Sequence, residues 1–298
     1  MSYRIATPLA HRASPVAALL TLAALGAASG TARAQSQPPT RSGDAVTSTP
    51  PRQRLTGFAG VAVVALPRYA GSDEYRVRPV PIGQLEYKGR VYVGGSQTTL
   101  GPALGAYVVR TPSLTWDVSV SGAESRPESR GDALAGMGKR SGASFVTTGL
   151  AYRLGVVTAT AGGALGLGKD EGSFGTVGLG TELPVAPRWV AGVSTGVTFA
   201  DARSMAFDFG VTREQSAARR TLLAAGDPRL RGIDVAAYAP GAGLKDVRGG
   251  VSLAYLLTPR SRVVLFAQGS RLSDEAARSP LVRARTGAMT GAAIGWGF

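Results

Sequence analysis

The run Leu114-Thr115-Trp116-Asp117-Val118-Ser119-Val120-Ser121-Gly122 decides the fold. Read alternately, Leu114, Trp116, Val118, Val120 and Gly122 fall on one side, and Thr115, Asp117, Ser119 and Ser121 on the other. Successive residues of a strand point to opposite faces, so this strand meets an apolar medium on one side and a polar medium on the other. Val247 to Thr258 repeats the pattern, with Val247, Val251, Leu253, Tyr255 and Leu257 opposite Arg248, Gly250, Ser252 and Thr258. A soluble sandwich alternates in the same way, so the medium needs separate evidence.

Working outward, stretches of roughly ten residues with partial alternation recur to the end of the chain, bounded by Gly, Pro or charged residues; membrane-spanning strands have this form. No run after the first 34 residues is long and apolar enough for a helical span. Three features favour lipid. The chain ends in Ala292-Ala293-Ile294-Gly295-Trp296-Gly297-Phe298, an apolar aromatic strand that a closed barrel pairs with its first strand, leaving no edge. Trp296 and Phe298 also resemble the terminal-aromatic signal read by the barrel assembly machinery. Gly and Ala crowd Ala159 to Gly168 and Gly175 to Gly180, which suits a narrow lumen better than a soluble core. Finally, Tyr87, Trp116, Tyr152 and Trp189 fall near short turns, and Tyr69, Phe174 and Phe199 near longer loops, as two aromatic girdles would require.

Walking the turns places strands near 55 to 67, 76 to 87, 90 to 98, 102 to 110, 114 to 123, 142 to 153, 156 to 167, 173 to 183, 189 to 200, 247 to 258, 261 to 271 and 286 to 298. The predicted fold is all-β: a single-chain antiparallel transmembrane β-barrel of about 12 strands, with ten or fourteen as alternatives. The open question is Asp201 to Asp246, which has room for two further strands around Met205 to Val211 and Gly232 to Tyr238. With the N-terminus in the periplasm, the tight turns fall inside and the long loops outside.

Ahead of the barrel, Arg4, His11 and Arg12 lead an apolar run from Ala13 to Ala28, followed by Ala32-Arg33-Ala34. This predicts a signal peptide over residues 1–34, with Ala32 and Ala34 as the small residues at the cleavage site; an uncleaved anchor is the alternative. Gln35 to Arg54, rich in Pro, Ser, Thr and Gln, is predicted to be a disordered periplasmic segment, and the barrel occupies 55–298. Export places the protein in the outer membrane of a Gram-negative envelope, beside lipid and lipopolysaccharide. The basic excess therefore does not imply nucleic acid, although without the leader 30 basic residues still face 19 acidic ones.

The chain has no cysteine and no asparagine, and its one histidine, His11, lies in the leader. Thiol catalysis, disulfides, cysteine-based zinc sites and histidine general bases are thereby excluded from the mature chain. Glu128, Asp132, Asp170 and Glu171 remain, without a spacing that pairs them, so no catalytic residue, cofactor or metal is predicted. Gly163-Ala-Leu-Gly-Leu-Gly168-Lys169-Asp170 approaches a phosphate loop, but Asp170 stands where a hydroxyl is needed and the flanks alternate like a strand.

Charge concentrates in Tyr69-Ala70-Gly71-Ser72-Asp73-Glu74-Tyr75-Arg76-Val77-Arg78-Pro79-Val80-Pro81. Asp73 and Glu74 beside Arg76 and Arg78 suit either a ligand at the rim or mutual neutralisation that ties the loop to the wall, and the second reading is preferred. Arg213 to Ala225 reads as a short helix in the longest outer loop, presenting Arg213, Arg219 and Arg220 to lipopolysaccharide phosphates.

The 69–81 run resembles the signature of the MipA/OmpV family of outer-membrane proteins, with Tyr69, Gly71, Ser72, Asp73, Tyr75, Arg76, Pro79 and Pro81 carrying the likeness. Supporting pieces are Leu134 to Gly138 after Arg126 and Arg130, Phe209 to Thr212, Gly243 to Val247, and Leu272 to Val282. The resemblance implies a non-enzymatic barrel that scaffolds a murein lytic transglycosylase and a penicillin-binding protein. The alternative is a narrow, anion-preferring pore, with Arg76, Arg78, Arg248 and Arg262 as candidate lumen residues.

Overall fold

A computed structural model describes residues 55–95 and 102–298; the leader, with Ala32 and Ala34, and the segment 35–54 lie outside them. The described residues hold twelve strands: β1 (Leu55–Pro67), β2 (Tyr75–Tyr87), β3 (Val91–Gly94), β4 (Ala103–Arg110), β5 (Leu114–Ala123), β6 (Ala143–Leu154), β7 (Val157–Gly166), β8 (Ser173–Ala186), β9 (Trp189–Ala200), β10 (Gly243–Leu256), β11 (Ser261–Leu272) and β12 (Thr286–Gly297). Each pairs antiparallel with the next, and β12 returns to β1 to close the barrel. The last residue takes part: Phe298 N–H donates to the Gly57 carbonyl at 2.9 Å, and Gly57 N–H to the Phe298 carbonyl at 3.0 Å. Closure removes the free edge that a terminal aromatic strand would otherwise present.

The alternation of β5 partitions as the sequence dictates. Asp117, Ser119 and Ser121 are buried inside the barrel, while Trp116, Val118 and Val120 face outward. Val61, Val77, Leu104, Val146, Leu179, Val193, Val251 and Leu265 extend that exposed apolar belt around the cylinder. In water such a belt would be an apolar patch far beyond what soluble monomers carry, whereas in lipid it meets its own kind. Tight turns close one end; Lys88 and Gly89 both adopt positive φ, the conformation tight hairpins demand.

The interior is partly dry. Ala62, Val64, Leu66, Val80, Ile82, Val264 and Ala293 form a buried apolar cluster on the β1, β2, β11 and β12 wall. Lower down, Gln84 donates to Tyr107 Oη at 2.9 Å, Tyr107 donates to Glu86 at 2.9 Å, and Arg110 holds the other Glu86 oxygen at 2.5 Å. These contacts satisfy polar groups that a barrel interior would otherwise strand.

The stretch 201–246 contains no added pair of strands. It folds as α1 (Ala202–Phe209) and α2 (Arg213–Ala224) before β10, with Val211 and Tyr238 forming only an isolated bridge. The physical reason is periodicity and capping. Met205 and Phe209, four apart, share one helical face and are both fully buried. Asp201 accepts from Ser204 N–H at 2.7 Å, and Thr212 with Gln215 forms a reciprocal capping box. A second correction concerns the outer aromatics. Tyr69 is buried and Phe174 packs inside against Phe145, so of the three residues expected at the outer girdle only Phe199 faces outward, joined by Tyr75.

Candidate functional site

Among the described residues, the long-loop end of the wall has no strand between β2 and β5; residues 96–101, and with them the last part of the expected strand 90–98, lie outside the described residues. β3 has only four residues and pairs with β2 from Gln84 to Tyr87, and Gly95 N–H adds a bond to the Gly83 carbonyl at 3.2 Å. Among the described residues, β2 from Tyr75 to Ile82 therefore has no strand on its β3 side. Hydrogen-bonding direction alternates along a strand, and the Gly83 bond fixes the odd-numbered residues as those aimed at this open edge. Pro79 and Pro81 are odd-numbered. Both lack an N–H, so they remove donors where no acceptor strand runs, as edge prolines do.

Ion pairs join β2 and β5 at the same level. Arg76 and Arg78 point inward from β2, and Glu124, just past β5, receives Arg78 at 2.8 Å, Arg76 at 3.5 Å and Arg130 at 3.4 Å. The first loop neutralises itself only in part: Glu74 pairs with Arg68 at 3.1 Å, while Arg76 and Arg78 go to Glu124 instead of to Asp73 and Glu74. Asp73 is exposed.

The rest of the signature loop docks onto the last outer loop. Tyr69 donates to the Leu281 carbonyl at 3.1 Å, and burial, reinforced by Asp73 and Glu74, pushes its phenol up to about 12. Gly71, at φ 88°, accepts Arg283 N–H at 2.7 Å, and a Cβ there would lie 2.7 Å from the Val282 side chain. The Ser72 hydroxyl accepts Glu74 N–H at 3.1 Å, and Tyr75 Oη accepts Ala288 N–H at 3.0 Å.

Four long loops pack into a cap over this end, sharing a core of Tyr69, Leu134, Met137, Val211, Leu230 and Leu281. α1 reaches down to the barrel rim, where Phe207 packs on the cluster of Ala143, Phe145 and Ala164. Asp208 is the anchor. Its carboxylate holds Arg140 at 2.7 Å and Lys245 at 2.6 Å, and its carbonyl accepts from Arg126 at 2.8 Å. Burial raises the Asp208 carboxyl, but Lys245 and then Arg140 more than reverse this and hold it well below the ordinary range. Arg219 is fully buried, not exposed as its helix position suggests, while Arg213 and Arg220 are exposed. It donates to the carbonyls of Ala133 at 2.6 Å and Asp234 at 3.1 Å, stitching two loops together.

Between α1, the start of α2 and the 137–140 turn lies a cavity of about 320 Å³ lined by Arg126, Lys139 and Arg140. Of the other candidate lumen residues, Arg248 is half-buried, paired with Asp246 at 3.3 Å and with Thr198. Arg262 is half-buried and within electrostatic reach of Glu182. Trp296 and Phe298 face outward. Sequence reading missed the roles of Glu124, Arg140 and Asp208 and the burial of Arg219. The signal in 124–142 was faint: Arg126, Arg130, Lys139 and Arg140 stand against Glu124, Glu128 and Asp132, one basic residue in excess.

The family model for MltA-interacting protein MipA matches residues 59–298. No sequence among curated proteins matches the chain. Among solved structures the barrel is similar to OprB of Pseudomonas putida, at TM-score 0.40 and 8% identity over 82% of this chain and 94% of that one. It is also similar to the NanC porin, at 0.40 and 6% over 80% and 98%. An anion-selective porin from Comamonas acidovorans gives 0.39 and 8% over 82% and 98%. Likeness of that degree leaves solute and partner unspecified. The closed barrel, its apolar belt and a family match running from β1 to the final residue agree: the chain belongs to the MltA-interacting protein MipA family of outer-membrane barrels.

Proposed function

We propose that this barrel is a non-catalytic scaffold that tethers a murein lytic transglycosylase, and with it a penicillin-binding protein, to the outer membrane. The observation that carries the reading is the family match over 59–298, whose name records an interaction with MltA. The absence of histidine and cysteine after residue 34 supports a role in binding over catalysis. The short-turn end offers a docking face. Lys88, Arg90, Arg153, Arg188 and Arg260 are exposed there, and the turns themselves carry no carboxylate, so an acidic partner surface fits. Purified lytic transglycosylase is expected to be retained on the immobilised full chain in detergent and released by moderate salt. Reversing Lys88, Arg90 and Arg188 to Glu is expected to abolish retention while the barrel stays folded. Equal retention by wild type and variant, or none by wild type, overturns the reading.

A second reading, a narrow pore for anions, is favoured by the inward arginines Arg76, Arg78, Arg248 and Arg262. Against it stand the packed cap and the apolar cluster within the barrel. Planar-bilayer recording separates the two: steady anion-selective current supports the pore, and a silent bilayer supports the scaffold.

A further inference from the structure

The cavity in the cap has a one-sided electrostatic character. Arg126, Lys139 and Arg140 line it, Thr212 and Gln215 bring the start of α2 to it, and Tyr238 covers one side. No carboxylate lines it. Asp208, which follows the lining residue Phe207, has its carboxylate engaged by Arg140 and Lys245.

Arg126 is the group that needs explaining. It is 8% exposed, and its hydrogen bond goes to the Asp208 peptide carbonyl instead of to a carboxylate. Among the described residues, no carboxylate lies within ion-pair distance of it, and Asp208 acts on it only at longer range, so part of the desolvation cost of this buried guanidinium goes unrecovered. Burial, with Arg140 alongside, pushes its pKa down to about 10, as expected where positive charge is crowded. The amino end of the 12-residue helix α2 adds partial positive charge at the same place, in part offset by the exposed Glu214 in its first turn. Two guanidinium groups, one ammonium and a helix amino terminus around one small space match the charge and the several acceptor oxygens of a phosphate group. The aromatic Tyr238 offers a sugar ring a flat apolar surface. A volume of about 320 Å³ is at the small end for ligand sites, enough for one phosphorylated sugar and too little for a longer glycan.

We propose that this cavity binds a phosphate monoester of single-sugar size, with Arg126, Arg140 and Lys139 holding the phosphate and Tyr238 flanking the ring. The same chemistry has two sources at the cell surface: a soluble sugar phosphate, or the phosphorylated sugar of an outer-leaflet glycolipid. This site is at the opposite end of the barrel from the docking face and does not rest on the scaffold reading.

The test uses the full chain in detergent micelles, titrated calorimetrically with glucose 6-phosphate and with glucose. Glucose 6-phosphate is expected to bind at one site and glucose not at all. Lys139 is exposed, so Lys139→Glu should leave the fold intact, checked by heat-modifiable gel mobility, and should weaken binding at least about tenfold; Lys139→Arg should preserve it. Competition assigns the source. Displacement of glucose 6-phosphate by lipopolysaccharide, but not by enzymatically dephosphorylated lipopolysaccharide, assigns the glycolipid, and no displacement by either assigns a soluble ligand. No binding of glucose 6-phosphate, equal binding of glucose, or unchanged binding in Lys139→Glu overturns the proposal.

Discussion

Arg78 and Glu124 lie 46 residues apart in sequence and 2.8 Å apart in space, tying β2 to the residue that follows β5. Arg76 and Arg130 converge on the same carboxylate, so one acid serves three guanidinium groups. Among the described residues, side-chain ion pairs join β2 and the end of β5 at a level where no strand ladder runs between them.

That asymmetry predicts unequal costs. Glu124→Gln leaves three largely buried cations without an anion and should destabilise the barrel by about 2–3 kcal/mol, a partial-exposure discount on the cost of breaking a buried pair. Arg130→Gln removes one of three and should cost below about 1 kcal/mol. Urea unfolding in lipid vesicles measures both, and equal losses would contradict a shared carboxylate.

Pro79 and Pro81 face the edge of β2 that no described strand covers. Pro79→Val with Pro81→Val restores two N–H donors there, each costing up to several kcal/mol if left unpaired in lipid. The double variant should relieve that cost by pairing edge to edge with a second copy. Cross-linking in vesicles is expected to trap a dimer in the variant and a monomer in the parent; a monomeric, fully stable variant would show that the edge is already occupied.

Arg219 holds the cap from within. Arg219→Met keeps the bulk but leaves the Ala133 and Asp234 carbonyls unsatisfied, which should destabilise the cap by about 2–4 kcal/mol. Limited proteolysis should then cut within 124–142 and 201–242 while the barrel core stays resistant. Protection equal to the parent's would place the cap's stability elsewhere.

Acid should loosen the cap through Asp208. Its carboxyl is depressed in the folded protein, since Lys245 and Arg140 outweigh the effect of burial. A depressed folded pKa gives stability that is complete above the unfolded value of about 3.9 and is lost as pH falls from there toward the folded value. Pepsin protection of the cap should therefore begin to fall near pH 4. Asp208→Asn should start less protected and show a flatter pH response; an unchanged acid profile would remove Asp208 from the cause.

The barrel was legible in the primary structure because a strand in a membrane wall obeys one local rule. Val118 and Ser119 differ by one position and must meet different media, so their order alone assigns them to sides. The terminal run ending in Phe298 announced its pairing with β1 for the same reason. The helices of 201–246 were half legible: the capping residues Asp201 and Thr212 were present in the chain, but a short apolar run does not declare its period. The cap and the charge network were not legible. Arg219 lies on a helix whose exposed face carries other arginines, and its burial depends on one carbonyl from a distant loop, Ala133, and one from further along its own, Asp234. The partnership of Arg78 with Glu124 joins β2 to the end of β5, 46 residues on, which no local pattern in either segment announces. Short-range alternation follows from the geometry of one strand, whereas long-range electrostatics depends on where separate loops come to rest, and that is fixed only when the cylinder closes.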